Sequence, residues 1–265
     1  MCNYRSNIIQ TDALVKTNTE VMPGIFIMWL NCPPVAATVR PGQFVMLSCG
    51  RDNLLRRPFS VHRIDEEGGY VAILYAIVGR GTQWLADCRS GYSINLLGPL
   101  GNGFSIDDKA DNLLLIAGGM GVAPLVFLSD EACHRGKKTT LLVGSTSTDT
   151  LCPTHLIDSE VDYHTITEDG SCGNKGLVTQ RLAEFAPNAE QVFACGPLPM
   201  YRTLATEPIL KDRRVQVSLE VRMACGFGSC YGCSIKTREG IKQVCSHGPI
   251  FDIKEILWDD LAGIW

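Results

Sequence analysis

At 265 residues the chain is longer than one compact domain requires and can bury two cores with a small appendage. A formal charge of -4 leaves no basic footprint for nucleic acid, and 45% hydrophobic with 20% charged residues is the balance of an ordinary globular protein. No apolar run approaches the ~20 residues that cross a bilayer, and Met1 to Gln10 lacks the basic flank and apolar run of an export signal. A cytoplasmic location is therefore expected, with small molecules and proteins as partners rather than nucleic acid or membrane.

From Ile8 to about Leu100, short runs rich in Val, Ile, Tyr and Phe alternate with Pro and Gly turns; Ile25–Leu30, Gln43–Leu47 and Tyr70–Val78 are examples. This is an all-β pattern, expected as a small barrel over residues 1–106. Arg57-Pro58-Phe59-Ser60 is read as closing one of its strands, with the arginine and serine on one face. Gly79-Arg80-Gly81-Thr82 follows another strand at a helix start, where Gly81 amides and the Thr82 hydroxyl could meet phosphates. Taken alone, an Arg-Pro dipeptide beside a turn more often reads as a solvated strand end.

Beyond Asp111 the texture changes. A buried strand over 112–117 runs into Gly118-Gly119-Met120-Gly121, and a helix is expected over 124–135. Strands follow at 139–144, 161–167 and 191–194, with helices at 176–185 and 198–205. That alternation predicts an α/β unit with a parallel sheet over 107–214. The glycine run allows a pyrophosphate to approach the backbone, though it does not match G-x-G-x-x-G and a plain strand-to-helix turn reads the same way. Cys195-Gly196 stands at a strand end where ligands gather; Cys195 is either a nicotinamide contact or a core cysteine. Between Ser145 and Asp149 there is no Arg or Lys to neutralise a 2′-phosphate, which favours NAD over NADP. Glu168-Asp169 before Gly170 reads as a turn or a ribose contact.

Twelve cysteines without an export signal imply reduced thiols. Cys2, Cys32, Cys49, Cys88, Cys133, Cys152, Cys172 and Cys195 are scattered and expected mostly as small buried apolar residues. Cys225, Cys230, Cys233 and Cys245, in the 215–265 segment, carry the plant-type [2Fe-2S] spacing, and Gly226, Gly228 and Gly232 give the loop its sharp turns. Structural zinc or inert thiols are the competing readings. His62, His134, His155, His164 and His247 form no ligand-spaced set. Trp258 and Trp265 in the acidic tail are either a partner-facing patch or the packing of a terminal helix.

In this order the motifs resemble the ferredoxin-reductase superfamily, whose barrel carries an Arg-x-x-Ser flavin motif and whose second domain binds a nicotinamide nucleotide. The segment Met223-Ala224-Cys225-Gly226-Phe227-Gly228-Ser229-Cys230-Tyr231-Gly232-Cys233, followed by Val244-Cys245-Ser246-His247-Gly248-Pro249, is similar to that of electron-transfer subunits of NAD-dependent dihydroorotate dehydrogenases. The resemblance covers nearly the whole chain. It implies one FAD at Arg57, Pro58, Phe59, Ser60, Leu74, Tyr75, Ala76, Gly81 and Thr82, and one cluster on the four cysteines. It also implies NAD(H) near Gly118, Gly119, Gly121, Cys195 and Gly196, and an FMN-containing catalytic partner serving pyrimidine biosynthesis in a heterotetramer of two of each subunit. A related subunit serving an NADH-dependent ferredoxin oxidoreductase or a hydrogenase or sulfide-reducing complex is the nearest alternative; a redox sensor or regulatory module is the more distant one.

Overall fold

The computed structural model describes residues 8–50 and 54–261; Cys2 and Trp265 lie outside them, as does most of the N-terminal stretch read above. Six strands close an antiparallel barrel in the order β1-β2-β5-β4-β3-β6. They are β1 (Ile9–Met22), β2 (Ile25–Asn31), β3 (Phe44–Leu47), β4 (Arg57–Asp65), β5 (Tyr70–Ala76) and β6 (Ser93–Leu100). Two short helices, α1 (Pro33–Ala36) and α2 (Arg80–Ala86), complete it. Closure leaves no edge strand to pair with a stranger.

Arg57-Pro58-Phe59-Ser60 opens β4 rather than closing a strand. Proline donates nothing to a ladder and is tolerated where a strand begins. An Arg-Pro beside a turn locates the turn without saying which side of it is extended.

The second unit is a seven-stranded sheet in the order β10-β9-β8-β7-β11-β12-β15, parallel except for its last strand. Its elements begin with β7 (Asn112–Gly118), α3 (Val122–His134), β8 (Lys138–Ser145), β9 (Asp162–Thr167), β10 (Asn174–Lys175), α4 (Leu182–Phe185), β11 (Gln191–Cys195) and α5 (Leu198–Thr206). They continue with β12 (Arg214–Ser218), β13 (Ser234–Thr237), β14 (Gly240–Gln243), α6 (Val244–His247) and β15 (Ile250–Asp252). The continuous apolar runs of β7 and β11 are covered on both faces, as parallel strands require.

The helix expected over 176–185 is a 3-10 turn at Val178–Arg181 followed by the single turn α4. The sheet also runs past residue 214: β12 and β15 both belong to it, so the C-terminal segment contributes two strands to the second unit. The non-local pairing of β12 with β11 and β15 decides this, and nothing local in the glycine- and cysteine-rich sequence announces it.

Barrel and sheet share side-chain layers. Phe44, Met46, Leu97 and Leu100 of the barrel pack in one core with Leu114, Val217 and Phe251. The Asn102 side chain imitates a strand, accepting from Ile250 N and donating to Ile250 O, both at 2.9 Å, and it caps α6 by donating to His247 O at 3.0 Å. Arg63 of β4 grips Asp130 of α3 through two bonds of 2.6 and 3.0 Å.

Beside that pair, β4 shifts register between Val61 and Arg63, and the bulge aims His62 at α3. His62 is fully buried, with Nδ1 2.9 Å from the Ala123 carbonyl oxygen. A carbonyl only accepts, so Nδ1 carries the proton, and Nε2 is buried without a hydrogen-bond partner. Burial pushes the ring down to about 4, against the opposing hydrogen bond to Ala123. The unfolded chain therefore binds a proton that the native ring refuses. Stability is full above about pH 6.5 and falls as the pH drops toward 4, by about 2 kcal/mol at pH 5. Urea unfolding of the holoprotein at pH 5 and pH 7.5 is expected to show that difference, and His62→Gln to remove most of it.

Candidate functional site

Between β12 and β13 the chain forms the loop that carries Cys225, Cys230 and Cys233, and α6 brings Cys245 against it. Cys233 and Cys245 are buried, Cys225 half-buried and Cys230 exposed, so the group presents one edge to solvent. Each sulfur accepts a backbone amide: Ser229 N to Cys225 at 3.3 Å, Gly232 N to Cys230 at 3.4 Å, Cys245 N to Cys233 at 3.4 Å and Gly228 N to Cys245 at 3.1 Å. Amides aimed at sulfur stabilise thiolate, which is the form that ligates iron. Burial pushes the Cys225 thiol up, but the amides of Phe227, Cys230 and Ser229 together outweigh it and bring it down to about 7. The Cys245 side chain, hydrogen-bonded to Cys233, holds Cys233 at about 6 and is itself raised by the same contact. The donor set and its amides fit an iron–sulfur cluster.

Two of the three loop glycines turn the backbone through positive φ: Gly226 at 82° and Gly228 at 85°. A Cβ on Gly226 would lie 2.8 Å from Met46 Cγ, so the loop rests directly on β3. The third left-handed position is Tyr231, at φ 59°, and not Gly232. Gly232 instead supplies an amide to Cys230.

Beside this loop a cavity of about 750 Å³ opens on the barrel. Arg57, Pro58, Phe59, Ser60, Leu74, Tyr75, Ala76, Gly81 and Thr82 all line it. Residues three apart on a strand alternate faces, so Arg57 and Ser60 do not share one; both reach the cavity because it wraps the beginning of β4. The two motifs converge: a Cβ on Gly81 would lie 3.6 Å from Arg57 Nε. Arg57 Nη1 donates to Leu55 O at 2.8 Å, which fixes the guanidinium at the wall. The Thr82 hydroxyl accepts from Val78 N and Gly79 N and donates to Gly79 O, which shapes the turn at this wall of the cavity.

A second cavity, of about 760 Å³, lies at the carboxyl ends of the parallel strands, where open α/β sheets gather ligands. Gly118, Gly119, Gly121 and Gly196 line it. The turn after β7 lies against the end of β11: a Cβ on Gly121 would lie 2.0 Å from Cys195 O, and one on Gly118 would lie 2.6 Å from Pro197 Cδ. The Cys195 side chain is buried and lines neither cavity. Its sulfur stands 4.0 Å from Glu220 Oε1. Five of the seven described cysteines outside the four-cysteine group are buried, and Cys133 and Cys172 are half-buried.

Ala76, Met120 and Glu220 line both cavities. Glu220 is the site residue that sequence reasoning misses. Its side chain is exposed where it lines the two cavities, and desolvation by the protein crowded around it pushes the carboxyl pKa up. Trp258 stacks on Tyr201 at 5.2 Å and donates to Ile253 O, so it is packing and not an open patch.

Residues 220–257 match the family model described as the iron-sulfur cluster binding domain of dihydroorotate dehydrogenase B. Among solved structures, the chain is similar to that of the NADH-dependent reduced ferredoxin-NADP oxidoreductase, with a TM-score of 0.88, 26% identity and coverage of 96% of this chain and 92% of that one. The ferredoxin reductase in carbazole 1,9a-dioxygenase shares the fold, with a TM-score of 0.69 and 21% identity over 79% of this chain and 69% of that one. An electron transfer subunit of dihydroorotate dehydrogenase B (NAD(+)) from Desulforamulus reducens is 34% identical over 94% of this chain and 98% of its own length. Its counterpart from Lysinibacillus sphaericus is 37% identical over 92% and 97%. Matched at these identities almost from end to end, the chain belongs to the family of electron transfer subunits of dihydroorotate dehydrogenase B (NAD(+)).

Proposed function

We propose that the chain passes electrons between the FMN of a dihydroorotate dehydrogenase catalytic subunit and NAD(H), in the cytoplasm and in a heterotetramer of two of each subunit. In this reading residues 1–106 hold FAD, residues 107–214 receive NAD(H), and the 215–265 segment holds a [2Fe-2S] cluster on Cys225, Cys230, Cys233 and Cys245. The observation that carries it is the shared wall: the two cavities meet at Ala76, Met120 and Glu220, and the barrel cavity continues along Arg222 and Met223 to the residue before the cysteine loop.

A bound flavin supplies both hydride exchange and single-electron exchange, which a nicotinamide and an iron–sulfur cluster supply only separately. The chain's own residues do the positioning. Arg57, tied to Leu55 O, offers its remaining donors to a pyrophosphate. Phe59 and Tyr75, 5.8 Å apart edge to face, form the apolar side of the same cavity. The turn pressed on Cys195-Gly196 brings the backbone of Gly118, Gly119 and Gly121 to the second cavity, with Met120 as its one side chain there. The amides on the four sulfurs set the charge the cysteine loop can carry.

Purification of the untagged chain with its natural companion is expected to yield flavin and cluster absorbance, an FMN-bearing partner and dihydroorotate-dependent NAD⁺ reduction. Flavin and cluster with another companion and no such activity would move the same machinery to a different donor, as in a ferredoxin-linked complex.

A further inference from the structure

β11 and β12 run parallel and end together, with Cys195 in register with Ser218. Past that point their backbones serve different cavities. Gly196, just beyond β11, lines the cavity proposed for NAD(H), whereas Ser218 lines the barrel cavity. Both are tied to one side chain. Tyr201 of α5 is fully buried, and its hydroxyl accepts from Gly196 N at 2.9 Å and donates to Ser218 O. An amide only donates and a carbonyl only accepts, so the bridge has one sense: the phenol oxygen takes the Gly196 proton and gives its own to Ser218. Burial raises the phenol pKa well above its ordinary value, so that proton stays in place.

The bridge is held from several sides. Pro199, Met200 and Thr203 of α5 line the NAD(H) cavity, while Tyr201 and Leu204 pack in the core. The Tyr201 ring stacks on Trp258, with centroids 5.2 Å apart, which keeps the hydroxyl on its two partners. Gly121 presses on the same peptide: a Cβ there would lie 2.0 Å from Cys195 O and 2.8 Å from Gly196 N. The Cys195-Gly196 peptide is thus fixed by the glycine turn and by the Tyr201 hydroxyl together. Glu220, where the two cavities meet, follows Ser218 by two residues.

We propose that Tyr201 is a positioning residue for hydride exchange: its hydroxyl sets the spacing between the backbone that lines the nucleotide cavity and the backbone that lines the flavin cavity. This rests on the reading that those cavities hold NAD(H) and FAD. Hydride moves only between atoms in near-attack contact, and a displacement of about 1 Å there costs about 100-fold in rate. Affinity for the dinucleotide is spread along the whole cavity, from Gly118 to Glu168 and Gly196. Loss of the hydroxyl therefore falls on the saturated rate and spares KM.

The test is stopped-flow reduction of the flavin in the flavin- and cluster-loaded protein by NADH and by NADH deuterated at the transferred position. Tyr201→Phe keeps the ring and its stack on Trp258 and removes only the bridging oxygen. It is expected to lower the saturated rate at least about tenfold, with half-saturation within about threefold of the original and the isotope effect retained in full. Trp258→Leu removes the stack and leaves the hydroxyl; it is expected to lower resistance to urea and to keep the saturated rate within about twofold. A saturated rate in Tyr201→Phe within about twofold of the original, a slower rate without the isotope effect, or an equal fall in Trp258→Leu overturns the proposal alone. So does a Tyr201→Phe chain that loads no flavin while Trp258→Leu does, because the hydroxyl would then serve folding. Failure of NADH to reduce the flavin of the unaltered protein overturns the nucleotide reading and the proposal together.

Discussion

Replacing Cys233 by serine is expected to abolish dihydroorotate-dependent NAD⁺ reduction, by more than about 100-fold, while NADH-driven reduction of a dye stays within about twofold. The argument is positional. Cys233 is buried, with the Cys245 amide on its sulfur, and it lines neither cavity. Losing one of four thiolates removes the one-electron station between the partner and the flavin cavity, yet leaves Arg57, Tyr75 and the glycine turns where they were. The visible spectrum is expected to lose its cluster bands and keep its flavin bands. Cys233 also packs in a core with Ile235 and Val244, so Cys230→Ser, at the exposed sulfur, is the companion that separates a folding defect from a lost ligand. Retention of dihydroorotate-dependent activity in Cys230→Ser, with the cluster bands gone, would remove the cysteine loop from the electron path.

Local chemistry is what the sequence makes legible. The spacing of Cys225, Cys230, Cys233 and Cys245 is read directly because three of the ligands lie on one loop, and a loop's needs are written in adjacent residues. The strands of the second unit emerge for a similar reason: β7 and β11 are buried on both faces and read as unbroken apolar runs. What escapes is whatever depends on distant partners. The fourteen residues of β1 alternate irregularly, with exposed positions in both phases, because that strand pairs with β2 at one end and β6 at the other. β15 is three residues long and exists as a strand only because β12 lies beside it. Glu220 follows an unremarkable Ser-Leu, and a single carboxylate has no spacing to betray it; its place just past the end of β12, where the two cavities meet, makes it a site residue. Gly232 and Tyr231 show the limit on the local side as well: a glycine was the natural candidate for a left-handed turn, and its tyrosine neighbour takes the turn instead.

Two substitutions two positions apart separate backbone strain from steric closure in the turn after β7. At Gly119 the backbone has φ +54°, and a Cβ there would meet nothing within 4 Å. Alanine is expected to cost about 1 kcal/mol from the left-handed conformation alone, and Gly119→Ala should keep most NADH-driven dye reduction. At Gly121 a Cβ would lie 2.0 Å from Cys195 O, 2.3 Å from its carbonyl carbon and 2.8 Å from Gly196 N. None of these atoms belongs to a flexible side chain. The turn must lift from β11, whose Cys195 is in register with Ala117 of β7, or the strands must part; either exceeds the roughly 1–3 kcal/mol of an ordinary overpacked core. Because Gly119, Gly121 and Gly196 together line the cavity proposed for NAD(H), lifting the turn also spoils its floor. Gly121→Ala is therefore expected to lower NADH-driven dye reduction by about 100-fold or more, chiefly through KM, while the barrel cavity proposed for FAD, lined by Arg57 and Gly81, is left intact. A flavin-loaded Gly121→Ala that turns over NADH as readily as Gly119→Ala would mean that this turn does not form the floor on which the dinucleotide rests.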